Sequence, residues 1–188
     1  MTLLRFERVT LVRGGRQLFD GLSFTMEAGD ALHVCGRNGA GKSSLLRLAA
    51  GLLQAASGRV EAAAIALSDA GLALDRELPL AAALSFWSRL GGPSNHPDDA
   101  LRQFGIAHLA DVPVRLLSTG QAKRASLARV ASSSAPLWLL DEPLNGLDRD
   151  GADRLATAIS RHRAAGGAIV AASHVPLPGD WRQLDLTQ

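Results

Sequence analysis

The stretch Gly36-Arg37-Asn38-Gly39-Ala40-Gly41-Lys42-Ser43-Ser44 decides how the rest of the chain is read. It follows a short apolar run, Ala31-Leu32-His33-Val34-Cys35. It opens a segment with helical apolar spacing, Leu45, Leu46, Leu48, Ala49, Leu52 and Leu53. Strand, glycine-rich turn and helix together are the context that the phosphate-binding pattern G-x-x-x-x-G-K-[ST] requires. The glycines leave successive backbone N–H groups free to converge on a phosphate. The helix start adds its partial positive charge. Lys42 supplies a mobile full charge for β- and γ-phosphates, and the Ser43 hydroxyl is placed to hold Mg²⁺.

Working outward, two more apolar runs have the same character. Pro136 introduces Leu137-Trp138-Leu139-Leu140, bounded by Asp141, and Ala168-Ile169-Val170-Ala171-Ala172 ends at Ser173-His174. Continuous runs of this kind fit strands buried on both faces of a parallel sheet. Ala152, Leu155, Ala156 and Ile159 lie between them at helical spacing, with Gly166-Gly167 as the stop. Strands alternating with helices predict an α/β fold with a mostly parallel core sheet. Ligands gather at the carboxyl ends of such strands. That places Lys42, Asp141, Glu142 and His174 on one edge, although they are far apart in sequence.

The N-terminal part reads differently. Leu4 and Phe6, then Val9 and Leu11, alternate with polar residues as half-buried strands do, and Arg13-Gly14-Gly15-Arg16 is a turn. Leu22 to Met26 predicts a second strand, and Arg59 to Glu61 and Ala64 to Leu67 two more. The helix after the phosphate loop is expected to weaken at Gly51 and stop before Ser57-Gly58. From Pro79 to about Leu90 the pattern is helical, broken at Gly91-Gly92-Pro93-Ser94-Asn95. Asp98 or Asp99 is expected to cap a further helix that ends near Gly105. Another helix runs from near Gly120 through Arg129. The segment from Trp181 to Leu186 is too short to assign. The expectation is one domain over 1–188, with a helical subdomain at about 78–132 inserted in the α/β core.

With 20 Lys and Arg against 18 Asp and Glu, the net charge is +2, too small to imply nucleic acid or an acidic membrane surface. No apolar run approaches the ~20 residues that span a bilayer. The start, Met1-Thr2-Leu3-Leu4-Arg5-Phe6-Glu7, carries charge too early for a signal peptide and lacks a cleavage site. A cytosolic chain, or one held at a membrane by a partner, is expected. The one cysteine, Cys35, reads as a small hydrophobe on the strand entering the phosphate loop.

Three local patterns carry two readings each. Asp141-Glu142 is either a solvated strand end or a metal and water site beside the phosphate loop, with Asp141 facing Mg²⁺ and Glu142 polarising the attacking water. Leu117-Ser118-Thr119-Gly120-Gln121 is either a helix cap or an anion site. His174 is either an ordinary end-of-strand residue or a γ-phosphate contact. His33, His96, His108 and His162 lack metal-ligand spacing and receive no role.

Taken in order, Gly36 to Ser44, Leu117 to Gln121, Leu137 to Pro143, Leu144-Asn145-Gly146-Leu147-Asp148 and Ser173-His174 resemble the ATP-binding subunits of ABC transporters. Order and spacing match the Walker A loop, signature motif, Walker B strand, D-loop and H-loop. The resemblance implies a P-loop ATPase fold with an N-terminal antiparallel β-subdomain. It implies a head-to-tail homodimer that sandwiches two ATP molecules with Mg²⁺, docked on integral membrane subunits. Gly36, Arg37, Asn38, Gly39, Ala40, Gly41, Lys42, Ser43 and Ser44 would hold the nucleotide in one copy. Ser118, Thr119, Gly120, Gln121 and Asp148 would reach it from the other. Lys42, Glu142 and His174 would be catalytic, with Ser43 and Asp141 on the metal.

Within the family, Leu18-Phe19-Asp20-Gly21-Leu22-Ser23-Phe24, Gly41 to Leu48 and Ser173-His174-Val175-Pro176-Leu177 are most similar to heme-exporter subunits of cytochrome c biogenesis. Heme would then be involved only indirectly, and no nucleic-acid partner is expected. No extra C-terminal domain is expected either. Phe86-Trp87 stands where the family docks its membrane subunits, or packs inside the insertion.

Three departures stand out. Arg13 takes the place of an aromatic ring that stacks on adenine in the family; its guanidinium plane could stack instead. The usual Gln after the Walker A helix is matched by Gly71, with Asp69 nearby as a substitute ligand. Thr119 replaces a glycine. Three other readings remain: an ABC ATPase of another small-molecule exporter, a soluble ABC-type ATPase acting on nucleic acid, and a regulatory nucleotide-binding module without turnover.

Overall fold

β1 (Thr2–Arg13) and β2 (Arg16–Glu27) form a long antiparallel hairpin that turns at Gly14-Gly15. The computed structural model of the chain describes residues 1–69, 71–90 and 96–186. In β1 the alternation slips between Phe6 and Val9 because Arg8 takes a left-handed φ of 47° in a bulge. One extra residue there lets Phe6 and Val9 both face the core. β2 begins six residues before the apolar stretch that predicts it. Its first half is exposed or half-buried, so pairing with β1 rather than hydrophobic pattern defines it. β4 (Ser57–Ala62) lies on the other side of β1 and completes an antiparallel sheet of order β2-β1-β4.

The second sheet is built from β3 (Ala31–Cys35), β5 (Ile65–Ser68), β6 (Leu137–Asp141), β7 (Ala168–Ala172) and β8 (Arg182–Asp185), in the order β5-β6-β7-β3-β8. All four of its pairings are parallel. The three apolar runs of the sequence are the three central strands, buried along almost their whole length. β8 is an edge strand whose outer positions are Arg182, Gln183 and Asp185. Charge on an edge blocks further pairing, and it also hides the strand from an apolar pattern.

α1 (Lys42–Ala49) packs Leu45, Leu46 and Leu48 into a core shared with Leu4, Phe6, Leu32, Leu139 and Val170. It ends sooner than the spacing of Leu52 and Leu53 predicts. Gly51 adopts φ 71°, and the N–H groups of Gly51 and Leu52 donate to the carbonyls of Leu48 and Arg47. That is a Schellman stop, which turns Leu52 outward.

The chain divides into two compact units. The first, Met1–Asp69, Pro136–Pro143 and His162–Gln188, holds both sheets and α1. The second, Ala70–Ala135 and Leu144–Arg161, holds α2 (Leu80–Leu90), α3 (Pro97–Gln103), α4 (Thr119–Ala131) and most of α5 (Arg149–Ala164). The expected break at residues 91–95 lies outside the described residues. The cap of α3 is His96, whose side chain accepts from the Asp98 N–H, not Asp98 or Asp99. Pro97 explains this: its fixed φ and missing N–H suit the first helical position, which moves the cap one residue earlier. In α2, Phe86 is exposed and Trp87 half-buried, with the Arg129 guanidinium 4.8 Å from the Trp87 ring centre. Among the described residues no helix is long and apolar enough to cross a membrane.

One close approach in the first unit leads to a stability prediction. His162 stacks on Trp138, ring centres 4.0 Å apart, and its Nε2 lies 3.2 Å from the Pro136 carbonyl oxygen. Burial pushes this imidazole below the ordinary histidine range. A Cβ on Gly167 would lie 2.2 Å from His162 Nε2. Gly167→Ala must displace the stacked ring, so it should cost about 1–3 kcal/mol. Thermal unfolding followed by circular dichroism should show a melting point several degrees lower; an unchanged midpoint would mean that the ring has room to move.

Candidate functional site

Because β3, β6 and β7 run parallel and adjacent, whatever follows each of them emerges at one edge. The register is tight. Ala172 of β7 pairs with Asp141 on one side and with Val34 on the other. The residues that follow are the phosphate loop after β3, Glu142 after β6 and Ser173-His174 after β7.

The loop has the backbone of an anion cradle. Gly36, Gly39 and Gly41 take φ of 136°, 81° and 105°, conformations closed to most side chains. Gly41 is the N-cap of α1, and a Cβ on it would also press on Leu18 of β2 at 3.2 Å. Lys42 is buried, and its ammonium donates to the carbonyl oxygens of Gly36 at 2.8 Å and Arg37 at 3.4 Å. The side chain therefore folds back over the loop, so its charge sits over the cradle. Ser43 is half-buried and Ser44 buried. From the hairpin, Arg13 Nη1 lies 3.4 Å from Ser44 Oγ.

Glu142 stands at φ 43°, a left-handed conformation that costs a non-glycine residue about 1–3 kcal/mol. Two contacts hold it there. Its N–H donates to the Ala172 carbonyl at 2.8 Å, and its Oε2 lies 2.9 Å from His174 Nδ1. The sequence-predicted acid and histidine thus meet directly. The ring places Nδ1–H on the carboxylate and leaves Nε2 pointing onward. Half-buried Asp141 and the Ser43 hydroxyl are hard oxygen donors, the chemistry that Mg²⁺ takes alongside phosphate oxygens. The residues present therefore fit a magnesium nucleotide. Asp69, expected from the sequence as a substitute for the missing Gln, pairs with Arg47 of α1 at 3.6 Å.

The second unit carries the other predicted residues. Ser118 caps α4 in a full capping box: its Oγ accepts from the Gln121 N–H at 3.3 Å, and Gln121 Oε1 accepts from the Ser118 N–H at 2.9 Å. Gln121 is thereby committed to the cap, while the hydroxyl proton of exposed Ser118 can still be donated outward. A Cβ on Gly120 would lie 3.0 Å from the Gly146 carbonyl, so the helix start and the loop before α5 touch. Asp148 accepts from the Gly151 N–H at 2.9 Å and pairs with Arg124. The Gly151 N–H, and after it Arg124, hold its carboxyl below the usual range. Arg124 also donates to Asp150 at 2.7 Å and to the Phe104 carbonyl at 3.1 Å. Reading the sequence gives no site role to Arg124 or Leu18, because both act through partners distant in the chain.

A parallel sheet with a glycine cradle after one strand, an acidic pair closing the next and a histidine bonded to that acid defines a P-loop nucleoside triphosphatase. The ABC transporter family matches residues 19–145, and the chain belongs to that family. It is 53% identical to the cytochrome c biogenesis ATP-binding export protein CcmA of Sphingopyxis alaskensis, covering 93% of this chain and 91% of the relative. It is 57% identical to the protein of the same name in Novosphingobium aromaticivorans, covering 88% and 85%. Among solved structures, the ATP-binding subunit of an ABC transporter superposes with a TM-score of 0.85 at 21% identity, over 93% of this chain and 80% of the other. An ATP-binding cassette in its ADP conformation gives 0.73 at 21%, over 94% and 82%. At those identities they speak to the fold.

Proposed function

We propose that this chain is the ATP-binding and ATP-hydrolysing subunit of an ABC-type membrane complex that works as a heme exporter in cytochrome c maturation. The observation that carries the ATPase reading is the Glu142–His174 pair at 2.9 Å, one strand away from the phosphate loop. The cytochrome c assignment is supported by the name that the relatives share.

In this reading Lys42 and the loop N–H groups bind the β- and γ-phosphates, and Ser43 and Asp141 hold Mg²⁺. Held by these residues, Mg²⁺ would supply neutralisation of the phosphate charge. Glu142 orients and polarises the attacking water, taking its proton. His174 steadies the carboxylate through Nδ1 and contacts the γ-phosphate. The Ser118 segment of a second, head-to-tail copy closes the site, with its hydroxyl on the γ-phosphate, and Asp148 stands beside it. Integral membrane subunits hold the pair at the cytoplasmic face of the inner membrane and contain the path; the exposed Phe86 on α2 belongs to the docking face. The relatives' names do not favour a soluble ATPase acting on nucleic acid.

The test is a deletion strain complemented with the wild-type gene. Heme staining of periplasmic proteins counts covalently loaded c-type cytochromes. Loss in the deletion and recovery with the gene are expected. Intact cytochromes in the deletion would remove the heme assignment and leave the ATPase assignment standing.

A further inference from the structure

The hairpin formed by β1 and β2 leans its tip on the phosphate loop, at two points in the first unit. Leu18 packs where a Cβ on Gly41 would come within 3.2 Å, and Arg13 Nη1 lies 3.4 Å from Ser44 Oγ. Ser44 is the third residue of the loop sequence after Gly41 and is itself buried in the first turn of α1. The guanidinium is therefore directed at the start of the helix, where the backbone N–H groups and helix charge favour an anion. Across the turn Arg13 pairs with Arg16. Like charges directly opposite each other in a hairpin are unfavourable, a cost offset where a polyanion lies against them. Between Val12 and Leu18 the tip carries Arg13, Gly14, Gly15, Arg16 and Gln17, with no aromatic plane to stack on a base.

We infer that Arg13 reads the polyphosphate and not the base, so that the site takes nucleoside triphosphates with little discrimination between bases, adenine and guanine included. This rests on the nucleotide-binding reading above. A guanidinium donating to phosphate oxygens makes charge-assisted bonds that any nucleoside triphosphate satisfies equally. A stacked ring would instead bind through the face of the base.

The test is equilibrium binding to the full chain of ATP, GTP, adenosine and inorganic triphosphate, with wild type, Arg13→Ala and Arg13→Lys, and with Lys42→Ala as the loop control. Wild type should bind ATP and GTP within about threefold of each other, and inorganic triphosphate should compete. Arg13→Ala should weaken ATP, GTP and triphosphate by one common factor, about tenfold for a lost charged hydrogen bond, and flatten the salt dependence of binding. Arg13→Lys should recover much of the loss. Arg13 is exposed, so an unchanged melting point checks that the variants fold. The inference is overturned if wild type prefers ATP over GTP more than tenfold, or if Arg13→Ala binds as wild type does. In either of those cases, sensitivity to Lys42→Ala keeps the nucleotide site. If wild type binds no triphosphate at all, the proposed function falls with the inference.

Discussion

Replacing Glu142 with Gln should slow ATP hydrolysis by about 10²–10⁴-fold, the range that a positioned general base supplies, while leaving ATP binding intact. The local structure explains why this exchange isolates the chemistry. Glu142 occupies a left-handed backbone conformation held by its N–H on the Ala172 carbonyl and by its side chain on His174. A Gln oxygen accepts from His174 Nδ1 as the carboxylate does, so the backbone and the ring keep their places. What disappears is the charge that takes a proton from water. With the phosphate loop untouched, ATP should hold two copies together long enough to register as a dimer by size and light scattering. Phosphate release by the assembled complex is the decisive measurement. Normal turnover would assign the water to another group, His174 or Asp69, and the second is already paired with Arg47. Glu142→Ala is a poor substitute for this experiment, because it also removes the partner of His174.

The candidate site is legible where its residues close an apolar run. Leu137 to Leu140 is followed at once by Asp141-Glu142, and Ala168 to Ala172 by Ser173-His174; a strand buried on both faces announces itself, and so does the polar residue that stops it. The parallel order then puts those stops on one edge without any further information from the sequence. Legibility failed where long-range pairing decides. β8 is recognisable only by its register with β3, since its exposed edge carries Arg182, Gln183 and Asp185. The first half of β2 exists because β1 lies beside it. Leu52 has the right spacing to extend α1, but Gly51 ends the helix and leaves Leu52 exposed.

The capping box at Ser118 shows a different limit. The residues S-T-G-Q announce a helix start, and the helix start is present, with both hydrogen bonds of the box made. The same hydroxyl keeps a proton to donate, so capping and anion binding do not exclude each other, and a single copy of the chain does not choose between them. Arg124 lay beyond the sequence reading for a simpler reason. Its partners Phe104, Asp148 and Asp150 are 20, 24 and 26 residues away, and nothing in the spacing marks them.

Lys42→Ala should reduce turnover by at least about 10²-fold, the cost of removing one preorganised charge from a site of phosphoryl transfer, and should weaken nucleotide binding as well. The side chain is buried, and its ammonium donates to Gly36 and Arg37, the two residues that begin the cradle. It therefore has two tasks: it braces the loop through those two carbonyls, and it brings a full positive charge to the phosphates. Truncation to Ala removes both and leaves those carbonyls without that donor. Lys42→Arg separates the tasks. It keeps the charge, but a planar fork cannot occupy the place of a point charge lying 2.8 Å from the Gly36 oxygen, so activity should stay low while some nucleotide affinity returns. Melting curves of both variants distinguish a collapsed loop from a lost charge: the loop is short and its glycines set its shape, so the global midpoint should move little. Measured on the assembled complex, near-normal hydrolysis by Lys42→Ala would show that the loop binds phosphate through its N–H groups alone, and the catalytic role given to this lysine would be withdrawn.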